Sequence, residues 1–351
     1  MRNERRLRRS RPAFGLRLAA IALLAIVSAA PPATTAGPDR IRVVFDTDAN
    51  NELDDQHALA YLLFSGDRFD VEGVTVNRTR GGGGIDDQVA EAVRVVKLSG
   101  ADGRVPVLKG ADRSFEEIAP HVGASTFDGH EAVRFIIERA RAAGERRLVL
   151  LPVGKLTNVA LALKKDPSIA SRVRIVWLGS NYPEPGEYNQ ENDEPALQYV
   201  LDSTVDLEIA LVRYGAPSGT AAVRVTPAEN RAQMAGRGPR VEPPVTGRHG
   251  GQFHTFGDYS INLFDHIELD GDPPSRALFD MAAVAIVKNP AWAAARRLPA
   301  PRLVNGRWVE RSGNPRTIVL WENFDRQAIL ADFYRTVHEP CVVPCEPAAA
   351  R

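Results

Sequence analysis

Four aspartates, Asp46, Asp48, Asp54 and Asp55, fall within ten residues in the stretch I-R-V-V-F-D-T-D-A-N-N-E-L-D-D-Q-H-A-L. The stretch begins as a continuous apolar strand and ends as a helix. Its acids therefore collect at the C-terminal end of a strand, where open α/β sheets place their ligand sites. Carboxylates this close repel one another and cannot all be buried and ionised without a partner. A divalent cation resolves the conflict. An all-oxygen donor set suits a hard ion, Ca2+ or Mg2+, and the lack of clustered His and Cys argues against zinc. A helix N-terminus stabilises negative charge by only about 0.3–1 kcal/mol, which accounts for Asp54 or Asp55 but not for four acids. An EF-hand is excluded, because a strand precedes the run, Asn51 replaces the required Gly and His57 the bidentate Glu. His57, two residues after Asp55, is expected on an exposed first helical turn.

The elements that must carry these acids alternate along the chain. Apolar runs at Ile41–Phe45, Val71–Val76, Val105–Leu108, Leu148–Val153, Ile175–Leu178, Leu207–Val212 and Thr317–Trp321 read as strands covered on both faces. Between them lie helical stretches at Asp55–Phe64, Ile85–Leu98, His130–Ala143, Thr157–Lys164, Pro195–Leu201, Phe279–Val287 and Arg326–Val337. In the second of these, Val89, Val93 and Val96 recur at helical spacing and are expected to face the sheet. The pattern predicts an α/β, single-domain, Rossmann-like fold with a mostly parallel central sheet flanked by helices. Two stretches break the rhythm: Arg80–Gly84, with four consecutive glycines, and residues 236–275, rich in Gly, Pro, His and aromatics without clear periodicity. A long irregular segment of this kind is expected to act as a lid or an insert.

Residues 1–36 are read as a secretory signal peptide, with a basic head from Arg2 to Arg11, an apolar run Leu16–Ala30 and small residues at Ala29, Ala30 and Ala36. The run is short for a membrane span, so no stable membrane insertion is expected after cleavage, and the mature protein is placed in the periplasm or outside the cell. Arg8-Arg9 gives only a faint twin-arginine signal. These 36 residues carry seven arginines and one acid, which leaves 37 bases against 43 acids, a balance of about −6. Nothing in that balance suggests a nucleic-acid partner. The catalytic domain is expected over 37–345, followed by a tail at 346–351. The only cysteines, Cys341 and Cys345, are expected to form a small-loop disulfide in an oxidising compartment.

Strand, D-x-D, short loop, D-D, helix resembles the signature of the nucleoside hydrolase family, including inosine-uridine preferring members. The spacer A-N-N-E-L is longer than the common P-G-x form and is similar to that of a bacterial branch. Further segments resemble family motifs in the same order: G-V-T-V-N ending at Asn77, V-P-V-L-K-G-A at 105–111, G-K-L-T-N-V-A at 154–160, G-E-Y-N at 186–189 with D-E-P-A-L at 193–197, and F-D-M-A-A-V-A at 279–285. The start D-T-D also resembles the nucleophile loop of haloacid-dehalogenase-type phosphatases, but those do not call for the D-D pair that follows.

The family resemblance implies calcium held by the carboxylates of Asp48, Asp55 and Asp280 and the carbonyl of Thr157. It implies N-glycosidic hydrolysis by a metal-activated water with Asp48 as general base. Asp54, Asn77, Glu187 and Asn189 would bind the ribose hydroxyls, with Asn181 as a further candidate, and Asp46 would stand behind and orient the loop. A small-molecule nucleoside or N-riboside is the implied partner, and a homodimer or homotetramer the implied assembly. Phe279 stands where the family often has a histidine that protonates a purine leaving group. His249, His254, His266 and Tyr259, in the irregular segment, are candidate acids by placement, and His130 is either a pocket residue or part of a helix cap. The competing function is an exported carbohydrate-binding protein that keeps the metal pocket with little catalysis.

Overall fold

A computed structural model describes residues 40–142, 144 and 146–345. The expected signal peptide and the tail 346–351 lie outside the described residues. Eight strands form the main sheet: β1 (Ile41–Thr47), β2 (Phe69–Val76), β3 (Val107–Lys109), β4 (Leu148–Pro152), β5 (Val173–Leu178), β6 (Asp206–Ala210), β7 (Ala294–Pro299) and β8 (Thr317–Glu322). Their order is β7-β8-β6-β5-β4-β1-β2-β3, parallel throughout except for β7, which pairs antiparallel with β8. This is the expected α/β sheet with one addition. The edge strand β7 escapes the apolar-run criterion because its A-A-R-R-L-P sequence is mostly exposed.

Alternation along each strand divides the core into two layers. Val43, Phe45, Val149, Leu151, Val176 and Leu178 face one side, where Asp54–Leu63, Phe279–Lys288 and Arg326–His338 pack. Val44, Leu148, Leu150, Ile175 and Trp177 face the other, covered by His130–Arg141, Thr157–Lys165 and Glu194–Asp202. Every residue of Asp54–Leu63 is buried, because this helix is sandwiched between the sheet and Phe279–Lys288. The expected exposure of His57 is therefore corrected. Its ring is fully buried, with Nδ1 2.6 Å from the Leu53 carbonyl and Nε2 2.7 Å from Ser260 Oγ, and burial pushes it down to about 4.

Two further expectations change. On Ile85–Leu98 the buried stripe centres on Ala92, Val95 and Val96, while Val89 and Val93 are only half-buried at its edge. Residues 236–275 are not wholly irregular. They contain a two-residue hairpin, Val245–Thr246 with Gln252–Phe253, and the helix Phe256–Phe264 capped by Thr255. Cys341 and Cys345 are joined as a disulfide. Among the described residues no helix is long and apolar enough to cross a membrane.

The strand order determines where a site can form. The chain lays β2 and β3 on one side of β1, then returns to place β4 on its other side. The loops leaving β1 and β4 diverge at this reversal and open a crevice at the C-terminal edge of the sheet.

Candidate active site

The floor of the crevice is built from the end of β1 and the start of the next helix. Asp46, 2% exposed, accepts from Asn77 Nδ2 at 2.7 Å, Thr75 Oγ1 at 2.5 Å and Asn158 Nδ2 at 2.7 Å, so it ties the ends of β1 and β2 to the helix Thr157–Lys165. Asp48 Oδ2 accepts from the Thr79 hydroxyl, and Asp55 Oδ1 from that of Thr47. The backbone amides of Asp280 and Phe279 donate toward Asp54, while the Asp280 carboxyl shares a hydrogen bond with Asp55. Gly154, just past β4, lets the backbone come close: a Cβ there would lie 2.6 Å from Asp48 Oδ1 and 3.0 Å from Asn77 Nδ2.

These acids are electrostatically unsatisfied. Burial, followed by the influence of the neighbouring carboxylates, pushes Asp54 and Asp55 up to about 7 and Asp48 and Asp280 well above the ordinary range. Burial also raises Asp46 to about 6, against the pull of its three hydrogen-bond donors. Asp54, Asp55 and Asp280 each offer an oxygen within 4.8 Å of the others. Oxygens around one hard cation, each roughly 2.3–2.6 Å from it, have spacings of that order, so the residues fit a Ca2+-like ion. The structural trio includes Asp54, whereas the ligand set implied by the sequence includes Asp48. Both line the same cavity.

That cavity measures about 350 Å³. Asp48, Asp54, Asp55 and Asp280 form its base, and Asn181, Glu187 and Asn189 one side. Glu187 caps a short helix, accepting from the amides of Ser180, Asn189 and Gln190 at 2.8–3.0 Å. Asn189 Nδ2 donates to the Val153 carbonyl at 2.6 Å, and Asn181 Oδ1 is buried without a protein partner. Asn77 and Thr157 lie behind the wall. Asn77 braces Asp46, and the Thr157 hydroxyl donates to Asp193.

None of the four candidate acids lines the cavity. Tyr259 donates to Glu91 at 2.6 Å, His249 and His266 stack on each other at 4.5 Å, and His254 sits 3.1 Å from the Val241 carbonyl. His130 contacts the Phe127 carbonyl as a cap-region residue. The mouth is instead formed by groups that sequence reasoning passed over: Glu52, Tyr188, Tyr214 and Arg276, with Phe279 beside them. The glycine loop holds one rim. Gly82, at φ +76°, lies so close to the Asn50 backbone that a Cβ would come within 2.5 Å of it, and the Gly81 amide donates to Tyr188 Oη at 2.7 Å. Thr47, Thr75, Thr79 and Asn158 were also passed over, although all four lie within or beside the quoted motifs.

The family model described as inosine-uridine preferring nucleoside hydrolase matches residues 43–339, most of the chain. The chain belongs to the inosine-uridine preferring nucleoside hydrolase family. It is 28% identical over 190 residues to an uncharacterized protein of Schizosaccharomyces pombe, covering 48% of this chain and 59% of that one. It is likewise 28% identical over 186 residues to the inosine-uridine preferring nucleoside hydrolase of Crithidia fasciculata, covering 46% of this chain and 57% of that one. The matched stretches thus span less than two thirds of either relative. Among solved structures, a plant nucleoside hydrolase aligns with TM-score 0.65 at 17% identity, over 86% of this chain and 99% of that one. A purine-preferring ribonucleoside hydrolase from Gardnerella vaginalis aligns with TM-score 0.61 at 19% identity, over 85% and 98%. At these identities the structural likeness is one of fold. In this nucleoside hydrolase family member, the acids cluster at the reversal of strand order.

Proposed function

We propose that the chain hydrolyses the N-glycosidic bond of a ribonucleoside or related N-riboside, with Ca2+ as its cation. The observation that carries this reading is a cavity with four buried, mutually repelling carboxylates on its floor and amide and carboxylate oxygens on its side. When bound, the cation supplies Lewis-acid activation of water and a template for two sugar hydroxyls. Asp55 and Asp280 would hold it, with Asp48 or Asp54 as the third carboxylate and the Thr157 carbonyl as a further oxygen ligand. Asp48, oriented by Thr79, takes the proton of the attacking water. Asn181, Asn189 and Glu187 present donors and acceptors for vicinal hydroxyls, and Asn77 with Asp46 keeps the loop in place. The buried negative charge stabilises the cationic ribosyl group as the bond breaks.

The catalytic domain is assigned to residues 37–345. Export to the periplasm or beyond rests on residues 1–36 alone, and a dimer or tetramer on the family resemblance. The deciding assay is a panel of nucleosides plus p-nitrophenyl riboside, run with and without chelator. Sugar release that chelator stops and Ca2+ restores supports the reading. A protein that neither binds Ca2+ nor releases sugar from any member overturns it. Calcium-dependent ribose binding without turnover would favour the carbohydrate-binding alternative, the reading to which Phe279, a wall residue with no proton to donate, lends weight.

A further inference from the structure

Across from the carboxylate floor, Arg276 is the one cation among the described residues that line the cavity. Its backbone is held by the antiparallel pairing of Arg276–Ala277 with Arg224–Val225. Its side chain, 17% exposed, forms an ion pair through Nη2 with Glu52, and its guanidinium carbon sits 6.0 Å from the Phe279 ring centroid. Tyr214 meets the same ring edge-on, also at 6.0 Å. Arg276 Nε is buried and has no hydrogen-bond partner. A buried donor left unpaired is unfavourable, and Glu52 is the one carboxylate paired with this guanidinium among the described residues, so the part of it that lines the cavity has donors left for an acceptor that a ligand can bring.

The shape of this corner specifies the acceptor. Two aromatic rings suit a flat ring system, and a guanidinium N–H suits an oxygen that carries or gains negative charge. Phe279 carries no proton, and a guanidinium keeps its own at any ordinary pH. Of the three side chains in this corner only Tyr214 carries a transferable proton, so what Arg276 itself offers a leaving group is charge.

We infer that Arg276 is the leaving-group contact of this site, selecting N-ribosides of planar oxo-heterocycles that depart as anions. The inference rests on the hydrolase reading above. As the C1′–N bond breaks, both its electrons go to the heterocycle, whose charge spreads onto an exocyclic oxygen facing Arg276. The water oxygen bonds to C1′, its proton passes to Asp48, and the departed anion takes a proton from solvent. Bases that must be protonated on the ring before they leave, such as adenine, are disfavoured.

The test compares the calcium-loaded wild type with Arg276→Met and Arg276→Lys. For uridine, Arg276→Met is expected to lower kcat/KM about 10²-fold, as when one charge-stabilising donor is removed from a transition state. For p-nitrophenyl riboside, whose leaving group needs little help, the loss stays within about threefold on the same argument. Arg276→Lys restores part of the uridine rate and so separates lost charge from lost fold. Calorimetry adds a readout independent of turnover. Barbiturate, a planar oxo-heterocyclic anion, is expected to bind the wild type and at least about tenfold more weakly to Arg276→Met, with ribose affinity unchanged in both. Equal losses for both substrates, or for barbiturate and ribose, would reduce Arg276 to a clamp on Glu52 and overturn the inference. Ribose binding without barbiturate binding overturns it and leaves the hydrolase reading intact. A wild type that neither binds ribose nor releases it brings down both.

Discussion

The floor of the cavity and its mouth differ in how their side chains are held. On the floor, Asp46 accepts three hydrogen bonds, Asp48 and Asp55 are each fixed by a threonine hydroxyl, and all the acids are at most 5% exposed. At the mouth, Tyr214 is 63% exposed and leans on one ring, while Arg276 is held by one ion pair, with Glu52, and a loose contact with the Phe279 ring. Elements packed on both faces of the sheet deliver the floor, and connecting segments deliver most of the mouth. A preorganised floor suits chemistry that must be the same for every substrate, whereas a mouth on loops can change with the leaving group.

Several substitutions would break or sharpen this contrast. Asp48→Asn should cut turnover of p-nitrophenyl riboside by about 10³-fold or more while circular dichroism stays native; a loss under tenfold would remove the floor from the chemistry. Asp280→Ala should weaken Ca2+ binding by about 10²-fold in calorimetry, since it removes one carboxylate from a three-carboxylate cluster. In the wild type, Ca2+ at a hundred times its Kd should add about 2.7 kcal/mol of stability, read as a chelator-sensitive rise in Tm. Gly154→Ala forces a methyl to 2.6 Å from Asp48 Oδ1, and a misplacement of that order should lower kcat about 10²-fold without unfolding the protein. At the mouth, Tyr214→Ala should leave stability within about 0.5 kcal/mol. It should raise KM for flat leaving groups only about threefold, as expected for the loss of one aromatic contact. A large fall in Tm would show the mouth to be as rigid as the floor.

Much of this was legible along the chain. Seven of the eight main strands fall on apolar runs, most clearly β1, β4 and β5, which are covered on both faces and have no polar side to display. The edge strand β7 lacks that covering and so lacks the signal. In Phe256–Phe264, Phe256, Tyr259, Ser260 and Leu263 do recur at helical spacing, but nine residues set among Gly, Pro and His give the pattern little length in which to stand out. His57 was misplaced for a different reason. Two preceding acids suggest a wet helix start, yet the helix is covered on all sides and the imidazole meets Phe256 and Phe264 edge-on. Nothing local marks Arg276, whose partner Glu52 comes from the far end of the chain.

By itself the sequence determined that acids gather at a strand end, that strands and helices alternate, and that a hard cation would relieve the crowding of charge. Those properties are local: composition and periodicity record how each segment is buried, and spacing records which carboxylates share a turn. Only the tertiary structure decided that β4 returns beside β1, that the Asp280 carboxyl shares a hydrogen bond with Asp55, that Asp54 joins those two in the close trio of carboxylates, and that Arg276 stands over the cavity. Such encounters depend on strand order and on the paths of loops between distant residues, and no periodicity within one segment encodes them.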